Sequence, residues 1–229
     1  MKVCEIFQSI SGEIAAVPQG TFSTFVRFSK CNLRCSFCDA QETQKGDIGE
    51  EFTPEDLALK ILSFSAYGHI ILTGGEPLIQ NLHEMTELIY MLYNAKKIIS
   101  IETNGSISIP DELIAYATWV VDFKIDQADK MDTGNALKLG PKDYIKFVIQ
   151  DFPQLDWAIA QHKKYLKDGV KAAFAYSPVL PVQKENYQNQ NLSITQSFYP
   201  LVNQIFNKLN SEGFEAIINT QVHKFLGLK

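Results

Sequence analysis

The stretch His69-Ile70-Ile71-Leu72-Thr73-Gly74-Gly75-Glu76-Pro77 sets the reading of the whole chain. Its Ile-Ile-Leu core is too short for a helix and reads as a buried strand. The strand runs into paired glycines, which let a backbone approach another group closely. A ligand-hugging turn and an ordinary tight turn share this composition. Beyond Pro77, Leu82, Met85, Ile89 and Leu92 recur at helical spacing. The unit is strand, polar end, helix.

That unit repeats in both directions. Upstream, residues 3–10 read as a strand, and a loop containing Pro and Gly leads to a second strand over 22–29. Alternation puts Phe25, Arg27 and Ser29 on one face of that strand and Thr24, Val26 and Phe28 on the other. A cysteine loop follows, then a polar stretch over 39–52. Thr53-Pro54-Glu55-Asp56 is a helix start, with Leu57, Ile61 and Phe64 at helical spacing.

Downstream, Ile98–Glu102 is a strand ending in Thr103-Asn104-Gly105, and Pro110–Thr118 reads as a short helix. Trp119–Lys124 is a strand, 126–143 a polar loop and Tyr144–Ile149 a strand. Leu155, Ile159 and Leu166 mark a helix, and Ala172–Ser177 is a strand. Residues 183–193 form a Gln/Asn-rich loop. Phe198, Val202, Ile205 and Leu209 stripe a late helix, and 215–218 read as a final strand. The tail from Asn219 is too apolar for a frayed end and is expected to pack on the core. About six βα units imply an α/β fold with a largely parallel sheet. Polar motifs gather at the strand C-terminal ends, where α/β barrels carry their active sites.

The chain has 229 residues, enough to bury a core as a single domain, 1–229, without disulfides. A net charge of −5 offers no broad basic surface, so direct nucleic-acid binding is not expected. No apolar signal core and no membrane-length run occurs. Crowded cysteines argue against a secreted disulfide scaffold and fit a reducing cytoplasm.

Three of the four cysteines lie in Cys31-Asn32-Leu33-Arg34-Cys35-Ser36-Phe37-Cys38. The spacing C-x3-C-x2-C brings three thiols together only in a loop wrapped around an ion or cluster. A [4Fe–4S] cube takes thiolate ligands, and three local ones leave an iron open if Cys4 stays in its strand. A zinc site completed by His69 or Cys4 is the other reading of the cysteines alone. Arg27 likewise has two readings in its apolar strand. Its cost of burial is offset either by a salt bridge or by a substrate carboxylate.

The cysteine spacing, with Phe37 before the last cysteine, resembles the cluster loop of the radical S-adenosylmethionine superfamily. That resemblance implies an abbreviated, partial (β/α)6 radical S-adenosylmethionine barrel. It also implies a [4Fe–4S] cluster on Cys31, Cys35 and Cys38, whose open iron binds S-adenosylmethionine for cleavage to a 5′-deoxyadenosyl radical. Gly74-Gly75-Glu76-Pro77 is similar to the superfamily's methionine-binding motif. Glu5-Ile6-Phe7, Ser11-Gly12-Glu13, Phe25-Val26-Arg27, Cys38-Asp39 and Gln221-Val222-His223-Lys224 narrow the resemblance to the 7-carboxy-7-deazaguanine synthase family. Its members are carbon–nitrogen lyases on the route to queuosine. They convert 6-carboxy-5,6,7,8-tetrahydropterin to 7-carboxy-7-deazaguanine with loss of ammonia.

Carried over residue by residue, the resemblance puts S-adenosylmethionine against Phe37, Cys38, Asp39, Gly75, Glu102, Asn104, Asp122, Phe123 and Lys124. It puts the pterin against Ile10, Ser11, Gly12, Glu13, Arg27, Thr73, His223 and the terminal Lys229. It further implies magnesium, a homodimer, and a reductant such as flavodoxin or ferredoxin. Three departures stand out. Asp122-Phe123 replaces the family's Ser-Pro before Lys124, and Ser11 replaces a Gln. Ala40 stands where a Thr or Ser hydroxyl meets magnesium. Other functional classes would be an activase for a glycyl-radical enzyme or a zinc-binding module.

Overall fold

The computed structural model describes residues 1–64, 67–132, 134–180 and 197–228. The strands are β1 (Lys2–Ile10), β2 (Phe22–Phe28), β3 (Glu50–Glu51), β4 (His69–Thr73), β5 (Ile98–Thr103), β6 (Thr118–Lys124), β7 (Tyr144–Ile149), β8 (Ala173–Pro178) and β9 (Ile217–Ile218). They form one sheet in the order β3-β1-β2-β4-β5-β6-β7-β8-β9. β1 pairs antiparallel with β2 and β3, and every other pairing is parallel. The two outermost strands have two residues each, too little edge to template another chain. The sheet stays open among the described residues, in keeping with an abbreviated barrel.

Parallel neighbours need crossovers. Helices α1 (Pro54–Phe64) and α2 (Leu82–Asn94) make the crossovers into β4's and β5's neighbourhood, α4 (Phe152–Lys167) joins β7 to β8, and α5 (Tyr199–Glu212) precedes β9. Local signals start and stop them. Thr53 Oγ1 accepts from Asp56 N at 3.1 Å, and Asn81 and Asp151 cap α2 and α4. Gly213, at φ 67°, ends α5 in the left-handed conformation.

Period-two alternation sorts the strands into two faces. Val26, Phe28, Ile70, Leu72, Ile99, Ile101, Trp119, Val121, Ile145 and Phe147 point at the helices and form the main core. Leu57, Ile61, Leu88, Leu155 and Ile205 meet them there. The intervening positions, Arg27, Thr73, Glu102, Asp122, Lys124 and Lys146, share the opposite face. Parallel register places Arg27 beside Thr73 and Asp122 beside Lys146. The 11–21 loop crosses this face, where Ala16 N donates to Ser100 Oγ at 2.9 Å.

Several expectations are corrected. Phe64, Leu82 and Leu166 are exposed because they lie beyond the buried stripe at their helix ends. The stretch read as a helix over Pro110–Thr118 is a 3-10 helix, Asp111–Tyr116, and Thr118 already belongs to β6. The expected polar loop over 126–143 holds 3-10 turns, Ile125–Lys130, and the one-turn α3, Asn135–Lys138. Buried Asn135 organises that turn by bonding Ile109 N and the carbonyls of Gly105 and Ile107. The tail packs through polar groups together with Phe225, whose ring lies 6.1 Å from that of buried Phe198. It ends in α6 (Val222–Phe225), and Phe225, Leu226 and Leu228 are exposed. The Gln/Asn-rich loop expected over 183–193 lies outside the described residues. No helix among the described residues is long and apolar enough to cross a membrane.

Candidate active site

The cysteine loop leaves β2 through Lys30, whose φ is 74°. Its backbone is tied to Thr43 O, and Cys31 N to Gln44 O. The glycine motif after β4 packs against this exit. A Cβ on Gly75 would lie 2.1 Å from Lys30 O, and one on Gly74 would lie 1.9 Å from Arg27 Cγ. Both glycines have positive φ. Their first duty is therefore to let the turn seat against the cluster loop.

Glu76 locks the next strand end to the same turn. Fully buried, it accepts from Thr103 Oγ1 at 2.7 Å, Asn104 N at 2.7 Å and Leu78 N at 3.0 Å. Burial raises its pKa, and those donors oppose the rise. Asn104 then points its side chain to Asn32 Oδ1 at 3.0 Å and Cys31 Sγ at 3.6 Å. Leu33 N donates to the same sulfur at 3.4 Å. Lys124, from β6, lies 5.8 Å from the Phe37 ring centre.

Burial pushes Cys31 up and Cys35 to about 11. Cys38 adds to the rise at Cys31, and Cys38 and Cys31 add to it at Cys35. Iron ligation at these thiols would require loss of the proton that burial favours. Cys4 stays in β1, with its thiol toward Ile48 O at 3.8 Å. His69 is spent between Ser23 Oγ at 2.7 Å and Ser100 Oγ at 2.8 Å, and burial lowers its pKa to about 4. Among the described residues no three His, Cys, Asp or Glu side chains converge at single-ion spacing. Three thiols on one loop are the donor chemistry of an iron–sulfur cluster, while Cys4 and His69, the candidates for completing a zinc site, are engaged elsewhere.

Beside the loop lies a buried charge cluster. Lys146 Nζ is 2.5 Å from Glu13 Oε2 and 2.8 Å from Asp122 Oδ1, and Lys124 Nζ is 2.8 Å from Asp122 Oδ2. Asn219 Nδ2 and Gln221 Nε2 also donate to Glu13, at 3.2 and 2.8 Å. Burial pushes Glu13 and Asp122 upward, but Lys146 with the Gln221 amide at Glu13, and Lys124 with Lys146 at Asp122, outweigh it and hold both carboxyls below their ordinary values. Glu102 accepts from Thr73 Oγ1 at 2.7 Å. It is the odd carboxylate, since two cations face three acids. Burial first, then the Glu13 charge, raise it to about 7.

The remaining expected residues ring this cluster. Arg27 Nε donates to Glu5 Oε1 at 2.9 Å, so the salt-bridge reading holds for that edge of the guanidinium. Its guanidinium carbon lies over the Phe7 ring, 5.5 Å from the ring centre. Ser11 is buried with its hydroxyl on Glu13 O at 3.3 Å. The His223 ring rests on Gly12, where a Cβ would be 1.8 Å from Nδ1. That buried Nδ1 has no partner among the described residues. Ile10 is buried at the end of β1. Asp39 pairs with Lys224 at 2.7 Å. The Phe123 side chain points away, into the core against Trp157, so only its backbone borders the site. Lys229 lies outside the described residues.

Lys146, Asn219, Gln221, Lys224 and Glu76 were not among the expected site residues. Lys146 carried the same signal as Arg27, a lone cation in an apolar strand. Asn219 carried none, because its partners come from β8 and the 11–21 loop.

The radical SAM superfamily model matches residues 25–150. A 7-carboxy-7-deazaguanine synthase from Methanospirillum hungatei is 31% identical over 229 residues, covering 100% of this chain and 86% of that relative. The chain belongs to the 7-carboxy-7-deazaguanine synthase family. The enzyme of that name from Clostridium acetobutylicum is 34% identical over 69% of this chain and 72% of its own. QueE from Escherichia coli shares the fold, with a TM-score of 0.69 at 17% identity over 97% of this chain and 94% of its own. Streptococcus suis SuiB bound to S-adenosylmethionine gives a TM-score of 0.55 at 16% identity, over 86% of this chain and 51% of its own. Family membership sets aside the activase and zinc-module alternatives.

Proposed function

We propose that residues 1–229 act as one catalytic domain for the ring contraction of 6-carboxy-5,6,7,8-tetrahydropterin to 7-carboxy-7-deazaguanine, with release of ammonia. The observation that carries the substrate assignment is the face shared by Arg27, Glu13, Glu102 and Thr73, beside the three-thiol loop. Cluster and S-adenosylmethionine, when bound, supply a carbon radical that abstracts hydrogen.

The chain's own residues do the rest. Cys31, Cys35 and Cys38 hold the cluster. The backbone at Gly75, with Phe37, Cys38, Asp39, Glu102, Asn104, Asp122, Phe123 and Lys124, lines the S-adenosylmethionine side. The terminal NH2 groups of Arg27 receive the pterin carboxylate in a planar fork. Glu13, kept ionised by Lys146, accepts from the pterin's guanidine-like N–H groups. Ile10, Ser11, Gly12, Thr73 and His223 close the pocket around the ring, with Lys229 assigned by resemblance. His223 offers its unpaired Nδ1, which a ligand would satisfy.

Magnesium is the part of the family pattern that these donors do not fit. Ala40 has no side-chain oxygen. Its carbonyl accepts from Thr43 N at 3.0 Å and Thr43 Oγ1 at 2.8 Å. A homodimer, a flavodoxin or ferredoxin reductant and a cytoplasmic location complete the proposal and rest on the family resemblance. The test is turnover of 6-carboxytetrahydropterin by anaerobically reconstituted protein with S-adenosylmethionine and a reductant. Formation of 7-carboxy-7-deazaguanine with one ammonia is expected. S-adenosylmethionine cleavage without any deazaguanine would sink the substrate assignment.

A further inference from the structure

We propose that His69 is a positioning residue for pterin recognition: through Ser23 and Ser100 it fixes the 11–21 loop that carries Ser11, Gly12 and Glu13 over the sheet. The inference rests on the carboxypterin reading above.

His69 opens β4 and is 2% exposed, while Ser23 on β2 and Ser100 on β5 are fully buried. Its Nδ1 is 2.7 Å from Ser23 Oγ, and its Nε2 is 2.8 Å from Ser100 Oγ. Both hydroxyls reach on to the loop. Ser23 Oγ donates to Thr21 O at 3.0 Å, and Ser100 Oγ accepts from Ala16 N at 2.9 Å. Thr21 O also accepts from Ser11 N at 2.7 Å. The chain of bonds therefore holds the loop at Ser11 and at Ala16, on either side of Glu13.

One placement of the hydrogens satisfies every member. A carbonyl only accepts, so the Ser23 hydroxyl hydrogen goes to Thr21 O and an oxygen lone pair faces Nδ1. Nδ1 then carries the ring hydrogen. Burial lowers the His69 pKa to about 4, so the ring is neutral and Nε2 is bare. Nε2 takes the Ser100 hydrogen, which leaves the Ser100 oxygen to accept from Ala16 N. Both ring nitrogens are spent on this chain. An apolar ring at position 69 would leave both serines without the partner that orients them. Buried polar groups left unpaired are costly, so the loop would gain by leaving the sheet for water.

Two readouts test this on the cluster-loaded enzyme. The first is amide hydrogen exchange with S-adenosylmethionine and no pterin. His69→Phe keeps a ring and deletes both bonds, and Ser100→Ala deletes the hydroxyl beside Ala16. Each should speed exchange over residues 11–16 by about tenfold, with β4 and β5 still protected. Ser100→Thr keeps the hydroxyl and should exchange like wild type. His69→Phe/Ser100→Ala should be no faster than the faster single variant, because a single chain is broken. Unchanged loop exchange, or equal acceleration throughout β4 and β5, would overturn the proposal. The second readout is steady-state turnover. KM for carboxypterin should rise about tenfold in His69→Phe and Ser100→Ala, with kcat and the S-adenosylmethionine KM within about twofold of wild type. A fall in kcat at unchanged carboxypterin KM would refute the positioning role. If wild type does not turn over carboxypterin, the substrate reading fails, and the exchange experiment still decides whether His69 holds the loop.

Discussion

Lys146→Met should expose how the site keeps its carboxylates ionised. Lys146 is 6% exposed and bridges Glu13 and Asp122, which are 14% and 16% exposed. Methionine preserves most of the side-chain volume and deletes only the charge. Asp122 retains Lys124, but Glu13 keeps only amide donors. Removing one partner of a buried pair costs about 3–5 kcal/mol, against a total domain stability of roughly 5–15 kcal/mol. The variant should fold with a large deficit.

Its pH dependence gives the sharper test. In the wild type, Glu13 and Asp122 have lowered pKa values. Their contribution is full above the ordinary carboxylate range and is lost as pH falls through the lowered folded values. Without Lys146, burial and the Asp122 charge act on Glu13 against only its amide donors, and its folded pKa is expected to move above the ordinary value. The carboxyl then takes up a proton, which limits the cost of burying it in acid. The deficit should therefore be greatest near about pH 8 and narrow toward about pH 5. Urea titrations at both values measure it, with Glu13→Gln/Lys146→Met expected to recover part of the loss because the orphaned charge is gone. A deficit below about 1 kcal/mol, or one equal at both pH values, would refute the argument.

Other outcomes follow from the same geometry. Alanine at Cys31, Cys35 or Cys38 should abolish visible iron–sulfur absorbance in reconstituted protein, whereas Cys4→Ala should retain it; loss of the signal in the Cys4 variant would overturn the three-ligand assignment. Arg27→Ala should weaken carboxypterin binding by about 2–5 kcal/mol, with S-adenosylmethionine affinity kept; equal pterin affinity in calorimetry would remove the carboxylate role. Glu102, raised from 4.5 to about 7, favours folding while protonated, so its contribution is full below 4.5 and disappears as pH rises through 7. Glu102→Gln should flatten the stability profile across that window, and an unaltered profile would assign the titration elsewhere.

What was legible in the sequence depended on how local the physics is. Strand β4 and its Gly-Gly exit could be read because period, length and turn chemistry all act within nine residues, 69–77. The cysteine loop could be read because its three thiols are bound by chain connectivity alone. The two glycines nevertheless had a different meaning from the one their composition suggested. Their missing Cβ atoms make room for Lys30 O and Arg27 Cγ, groups from a neighbouring strand whose register no local pattern reveals.

The same limit governs the charged residues. Arg27 and Lys146 are both lone cations in apolar strands, and both have acid partners, the half-buried Glu5 for one and Glu13 with Asp122 for the other. Sequence alone showed that each needed an anion, because an unpaired buried charge is too costly to keep. It could not say which, since Glu13 lies 133 positions from Lys146 and meets it only after the 11–21 loop has crossed the sheet. Asn219 closes the same cluster from 206 positions away. The tail illustrates the point most clearly. Its apolar letters suggest core packing, yet Leu226 and Leu228 are exposed and only Phe225 reaches a buried ring, Phe198, while Asn219, Gln221 and Lys224 make the polar contacts. The segment docks because the largely buried carboxylate of Glu13 takes donors from Asn219 and Gln221 while Lys224 pairs with the half-exposed Asp39, and that demand exists only once the sheet has gathered its charges on one face.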